Sequence, residues 1–228
     1  MTVPLLHKMG MLILQKDERQ RQFAADVLAQ GRAKNKEFRE ECVQILLDAM
    51  IHEESPKVLS AICNALGHHR AANAVGALAK LQVHPDAIVR LAVVHGLSCQ
   101  ESPVAIAALI SLSADSDRDV RNWATFGLGS LTEVDSTRLR EALLARMTDY
   151  DEEISGEAML GLAMRGDVRV SEPLLKVINS IHERQLVYGS LIIEAAETVL
   201  ATASKHPNEA WQPFLNRCYE LGLLKLSN

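Results

Sequence analysis

Four ten-residue segments of this 228-residue chain align without a gap: VLSAICNALG from Val58, VRLAVVHGLS from Val89, VRNWATFGLG from Val120 and ISGEAMLGLA from Ile154. Successive starts lie 31, 31 and 34 residues apart. A period of that length accommodates one helix–turn–helix unit. Such a unit cannot bury both of its apolar faces alone, so it must stack on copies of itself. Recurrence at this spacing therefore constrains the architecture more than any single motif does.

Three residues before each start stands a side chain suited to capping a helix: Ser55, Asp86, Asp117 and Asp151. Their oxygens accept from the N–H groups that the first helical turn leaves unpaired. Eight residues before each cap lies a leucine, Leu47, Leu78, Leu109 and Leu143, which marks a preceding helix. Each unit then reads as helix A, a short turn and helix B. Pro56, Pro85 and Pro103 fall at or near helix starts, where the missing N–H costs little.

Within helix B the columns separate by chemistry. Counting from the initial Val or Ile, offset zero is apolar in every copy. Offset four holds Ile62, Val93, Ala124 and Ala158, and offset eight holds Leu66, Leu97, Leu128 and Leu162. These positions are expected to face helix A and the neighbouring unit. Offset seven is small in every copy (Ala65, Gly96, Gly127, Gly161), which permits close approach of helices.

Beyond the clear copies, residues 5–15 and 19–32 read as a first A–B pair, 38–50 as the A helix of the second, and 171–181 with 191–203 as a last pair. A closing helix is expected over 209–221. The chain is thus expected to form a single domain over residues 1–228, with repeats near 3–33, 36–68, 71–99, 103–131, 137–166 and 171–204 and a capping helix over 208–222.

Composition agrees with an all-α reading. Hydrophobic residues make up 48% and charged residues 23%, so the chain can bury a core, while aromatics at 4% suit packed helices better than sheets. The net charge of -5 disfavours nucleic acid as a partner. The four cysteines (Cys42, Cys63, Cys99, Cys218) are widely spaced, and Cys63 and Cys99 fall on apolar helical faces, which points to buried free thiols and a reducing compartment. No window approaches the roughly 18 apolar residues of a membrane span. The short run from Met9 to Leu14 reads as a packed helix and not as a secretion signal. The cytoplasm is the expected location, with no membrane contact.

The pattern Asp-x-x-Val-Arg-x-x-Ala-x-x-x-Leu-Gly from Asp117, with DEEISGEAMLGLAMRGD from Asp151 and IIEAAE from Ile192, resembles HEAT repeats in their short bacterial form. The likeness covers about residues 115–200. It implies an all-α, right-handed α-α superhelix, a HEAT-like or armadillo-type solenoid of about six helix pairs. Some bacterial proteins of this group are immunity proteins that neutralise Rhs-type toxins by binding them, which implies a protein partner. The sequence departs from the pattern at Leu59 and Ser155, where the family carries an Arg, so an Asp–Arg ladder between repeats is expected only at Arg90 and Arg121. The boxes that mark ankyrin and tetratricopeptide repeats do not occur.

Offsets two, three and six of helix B vary most between copies, as a surface does. They place His95, Asn122, Trp123, Phe126 and Glu157 in a candidate partner-binding patch, with Arg90, Arg121 and Asp151 beside it. Trp and Phe dominate interface energetics when exposed. The competing reading is that Trp123 and Phe126 pack between adjacent B helices. From Asp115 to Leu160 there are eleven acidic and five basic residues, a balance of -6. Either these acids cap helices, or they form a rim that steers a basic partner such as a toxin. His52-Glu53 and His182-Glu183 lie near turns and off the helix B columns, and no Cys-x-x-Cys or His-Glu-x-x-His occurs, so neither metal nor cofactor is expected. Nucleophile-elbow and Walker motifs are likewise missing from the sequence. The expected activity is non-catalytic partner binding. The alternative is a HEAT-like enzyme, of the bilin lyase type or of the alkylpurine DNA glycosylase type with Trp123 and Glu157 as its aromatic–acid pair. The residues assign no oligomeric state.

Overall fold

The computed structural model describes residues 2–31, 36–183, 190–205 and 208–222. Among them there are 13 α-helices and no strand. The chain divides into two compact units, Met1–Gly127 and Leu128–Asn228. The first unit carries α1 (Val3–Leu12), α2 (Glu18–Ala29), α3 (Lys36–Met50), α4 (Pro56–His68), α5 (Val75–Lys80), α6 (Ala87–Leu97), α7 (Pro103–Leu112) and α8 (Arg118–Gly129) as far as Gly127. The second carries α9 (Thr137–Arg146), α10 (Glu152–Met164), α11 (Ser171–Glu183), α12 (Ser190–Lys205) and α13 (Gln212–Glu220). Helices follow one another as six A–B pairs and a thirteenth helix, the expected repeat solenoid.

The caps fall where the repeat places them. Ser55 accepts from the Val58 N–H at 3.5 Å, Asp86 from Ile88 at 2.9 Å, Asp117 from Asp119 and Val120 at 3.0 and 3.1 Å, and Asp151 from Glu153 and Ile154 at 3.0 and 3.3 Å. Asp17 does the same for α2, accepting from Arg19 at 2.8 Å.

B helices pack chiefly on B helices: α2 on α4 and α4 on α6 in the first unit, α10 on α12 in the second. The columns at offsets zero, four and eight are fully buried in all four copies. Of the predicted A-helix leucines, Leu78, Leu109 and Leu143 are buried, but Leu47 is only partly so. Leu46 takes the core position in α3, one residue further from its cap.

Glycine decides how close the B helices come. A Cβ on Gly67 of α4 would lie 2.8 Å from the Gly96 Cα of α6, and a Cβ on Gly161 of α10 would lie 2.5 Å from the Gly129 Cα. A Cβ on Gly127 would meet the Ser98 hydroxyl at 3.2 Å. Offset seven of one copy thus meets offset nine of the preceding copy, and both must be small.

The cysteines are free. Cys42, Cys63 and Cys218 are buried, and burial pushes the Cys63 thiol up to about 12 and that of Cys218 up to about 11. Cys99 departs from the expectation of burial. It sits just past the end of α6 with φ 65°, a left-handed conformation that turns the side chain out to solvent.

Candidate functional site

Three of the predicted residues come together on the B helices of the first unit. Trp123 on α8 is 45% exposed. The His95 ring on α6 meets it edge to face, with centroids 5.4 Å apart and planes at 89°. Phe126, one turn along α8, meets it at 5.7 Å and 84°. Aromatic pairs favour this T-shaped arrangement because the positive ring edge faces the negative ring face. His95 Nδ1 also lies 3.3 Å from the Asn64 Oδ1 of α4. Burial, helped by the nearby His68, holds the His95 imidazole below its ordinary value, so it is neutral at pH 7. The result is a pre-set, uncharged aromatic step, half exposed and held on two helices.

The structure corrects the rest of the predicted patch. Arg121 is 5% exposed and Asn122 7%, so neither presents a side chain to a partner. Arg121 turns back along its own helix start and donates to the Asp115 carbonyl at 2.8 Å. Glu157 in the second unit is 9% exposed and accepts from the Ser130 hydroxyl at 3.2 Å. Burial pushes its carboxyl above the ordinary value, and Glu153 and Glu194 add to that. Around Glu157 the next B helix presses close: a Cβ on the adjacent Gly156 of α10 would lie 3.2 Å from Leu191 of α12.

Arg90 belongs to the repeat ladder. Its guanidinium grips Asp115 in a fork, Nε to Oδ2 at 2.7 Å and Nη2 to Oδ1 at 2.8 Å, while Nη1 donates to the carbonyls of His84 and Pro85. Asp115 in turn accepts from the Asp117 N–H, so one ion pair ties α6 to the turn that starts α8. The guanidinium holds the Asp115 carboxyl below its ordinary range despite burial. Arg21 repeats the device with Glu53, at 2.7 and 3.0 Å, and donates to the carbonyls of Gln15 and Lys16. At Leu59 and Ser155, where the arginine is missing, no such fork can form. Asp151, predicted beside the patch, is the cap of α10.

Much of the acidic stretch is spent in the same way. Asp117 and Asp151 cap helices, Asp115 is held by Arg90, Asp135 by Arg140 at 2.6 Å, and Glu141 by Arg169 at 2.6 Å. Asp119, Glu152 and Glu153 remain exposed. No group of three or more His, Cys, Asp or Glu side chains that could hold a metal occurs among the described residues.

Two important side chains were not singled out from the sequence. Arg21 stands in its copy where Arg90 and Arg121 stand in theirs, which puts Phe23 of α2 in the Trp123 column and Leu28 in the buried leucine column. Phe23 is 57% exposed. The signal was present, but the first copy lacks the Val-Arg start and so escaped the alignment. Arg165 is the other. It donates to the carbonyls of Leu128, Gly129, Thr132, Val134 and Gly161, closing the turn between α8 and α9 in the second unit.

Comparison with known proteins bears on the same residues. A family model of HEAT repeats matches residues 43–129 and 109–186. Protein YibA of Escherichia coli (strain K12) is 33% identical over 109 residues, which are 48% of this chain and 37% of that relative. The match thus spans little more than a third of the relative's length. The X-ray structure of E. coli YibA superposes with TM-score 0.70 at 21% identity, over 96% of this chain and 82% of that one. A HEAT-like repeats protein from the archaeon Thermococcus onnurineus NA1 gives TM-score 0.55 at 19% identity over 87% of each chain. A computationally designed armadillo repeat protein for modular peptide recognition gives 0.52 at 16%, over 94% and 98%. At these identities the structural likeness shows the fold alone.

Proposed function

We propose, for a chain that belongs to the HEAT-repeat family, that it is a non-catalytic protein-binding module whose partner docks on the exposed face of the B helices. In HEAT solenoids that face is the concave side. One observation carries the reading: Trp123 is 45% exposed, yet held edge-on by His95 and Phe126. A large apolar ring that is already ordered loses little entropy on binding, which is the condition for an interface anchor. The designed armadillo protein among its structural neighbours is described as a peptide-recognition scaffold, which fits the same use of stacked helices.

At the finer level, the partner is a basic protein, and the chain acts in the cytoplasm as an immunity or inhibitor protein against a bacterial toxin. Support comes from the resemblance to toxin-neutralising HEAT proteins and from the acidic excess between Asp115 and Leu160, of which Glu152 and Glu153 at the start of α10 are exposed.

Affinity capture from native lysate tests the reading, with wild type beside a Trp123→Ala, Phe126→Ala double variant. A single protein retained in stoichiometric amount, and lost with the folded variant, is the expected outcome. Its affinity should fall steeply with salt if it is basic. Retention of only DNA or a small pigment by the wild type would overturn the proposal in favour of a HEAT-like enzyme.

A further inference from the structure

The turn that ends helix B is built alike in two copies, one in each unit. After α4, the Arg70 N–H donates to the Gly67 carbonyl at 2.8 Å and the Ala71 N–H to Leu66 at 3.2 Å. After α10, Gly166 and Asp167 donate in the same way to Ala163 and Leu162, both at 3.0 Å. Ala71 (φ -75°, ψ 96°) and Asp167 (φ -78°, ψ 108°) share one backbone conformation. Each turn is also held by an arginine from the first turn of its helix A. Arg39 of α3 donates through Nη2 to the His69 carbonyl at 2.6 Å, and Arg140 of α9 through Nη2 to that of Arg165 at 2.7 Å.

The side chains differ. Asp167 sets its carboxylate between Arg140 Nη1 at 3.3 Å and the Arg169 fork at 2.8 and 2.7 Å. In the first unit Ala71 stands where Asp167 does and Asn73 where Arg169 does, so Arg39 keeps its carbonyl contact but meets no carboxylate at that position. A cavity of about 550 Å³ opens there, with Arg39, Glu40, Val43, Arg70, Ala71 and Asn73 in its lining. Those two exchanges cancel in charge, and a third does not: Arg70 stands where Gly166 does. Arg70 has φ 47°, in the left-handed region where Gly166 sits at 62°. Side chains other than glycine are strained there, so the backbone supplies no reason for an arginine. Its guanidinium has no hydrogen-bond or ion-pair partner among the described residues. The described lining thus holds two guanidinium groups and one carboxylate, that of Glu40.

We propose that this cavity binds a small organic acid, whose carboxylate takes the place that Asp167 fills in the second unit. Arg39 and Arg70 hold the carboxylate, a pairing that the guanidinium fork favours. Asn73 meets an amide or hydroxyl of the ligand, and Val43 and Ala71 receive a short apolar body. Glu40 in the same lining repels a second negative charge, so a monocarboxylate fits better than a dicarboxylate. Small-molecule sites commonly enclose about 300–1,000 Å³, a range that includes this cavity. The site stands on α3 and the turn after α4, and it goes beyond the partner reading because it needs nothing docked on the B helices.

Titration of the full chain, with its arginine side chains labelled for NMR, tests this at constant ionic strength. The probes are N-acetylalanine, its uncharged amide, inorganic phosphate and a capped Ala-Glu-Ala peptide. N-acetylalanine is expected to shift the Nε–H signals of Arg39 and Arg70 to saturation, and the amide to shift neither. Equal shifts from the amide or from phosphate would overturn carboxylate recognition. Binding of the peptide alone would replace the small acid by a protein's acidic side chain and overturn the proposal as stated. No saturable shift from any probe removes the site. Two variants then locate it. Arg70→Gly relieves the left-handed strain, so its melting temperature should hold or rise while N-acetylalanine binds about tenfold more weakly. Ala71→Asp supplies the carboxylate that the second unit already has and should abolish binding. Wild-type affinity in either folded variant would sink the assignment, and the glycine variant decides it if the aspartate variant fails to fold.

Discussion

Trp123 and Trp211 show how differently one residue type can be used in this chain. Trp211 is buried against the last helices, while Trp123 stands half in solvent between His95 and Phe126. Trp211→Ala opens a large cavity and is expected to cost about 3–5 kcal/mol. Trp123→Ala loses two ring contacts and gains a better helix former, so it is expected to cost about 1 kcal/mol, a drop of about 3 °C in Tm. Thermal melts of the two variants check this, and equal large losses would place the Trp123 ring in the core. The position of Trp123 in a variable column could be read from sequence. Its exposure could not, because Asn122 and Glu157 came from equally variable columns and are buried.

At the scale of the helix, packing is set by glycine and by ion pairs that bridge successive repeats. Gly67→Ala must push α4 off the Gly96 backbone and is expected to cost about 1–3 kcal/mol. Gly76→Ala in α5 meets nothing within 4 Å and is expected to stabilise by about 0.5–1 kcal/mol. Urea midpoints of the pair measure the difference, which disappears if the helices can slide apart freely. Asp167 shows the electrostatic side. Its carboxylate accepts from Arg169 Nε and Nη2 at 2.8 and 2.7 Å and from Arg140 Nη1 at 3.3 Å. The Arg169 fork outweighs burial and holds the carboxyl at about 2, below the ordinary 3.8. A depressed carboxyl stabilises the fold above its unfolded value and loses that contribution as pH falls through the folded one. About 2 kcal/mol should therefore disappear between about pH 4 and pH 2, and Asp167→Asn should flatten that limb of the stability–pH curve.

For the molecule as a whole, burial predicts thiol chemistry. Only Cys99 is exposed of the four cysteines. A thiol reagent should modify one cysteine quickly in the native protein and all four in denaturant. Cys42, Cys63 and Cys218 should then report opening of the surrounding helices, since burial also keeps each as the unreactive thiol. Fast labelling of a second cysteine at neutral pH would show that one unit opens without denaturant.

The repeat period, the caps and the buried columns at offsets zero, four and eight were all legible in the sequence. Each is a local rule, helical periodicity or a side chain pairing its own helix start, and each recurs often enough to be recognised. The arginine ladder was half legible: Arg90 and Arg121 were visible, but Arg21 was hidden in a copy whose start reads Gln20. What only the tertiary structure decided was which variable positions reach solvent. That depends on how closely the next B helix approaches, and so on residues about thirty positions away: Gly96 opposite Gly67 and Leu191 opposite Gly156.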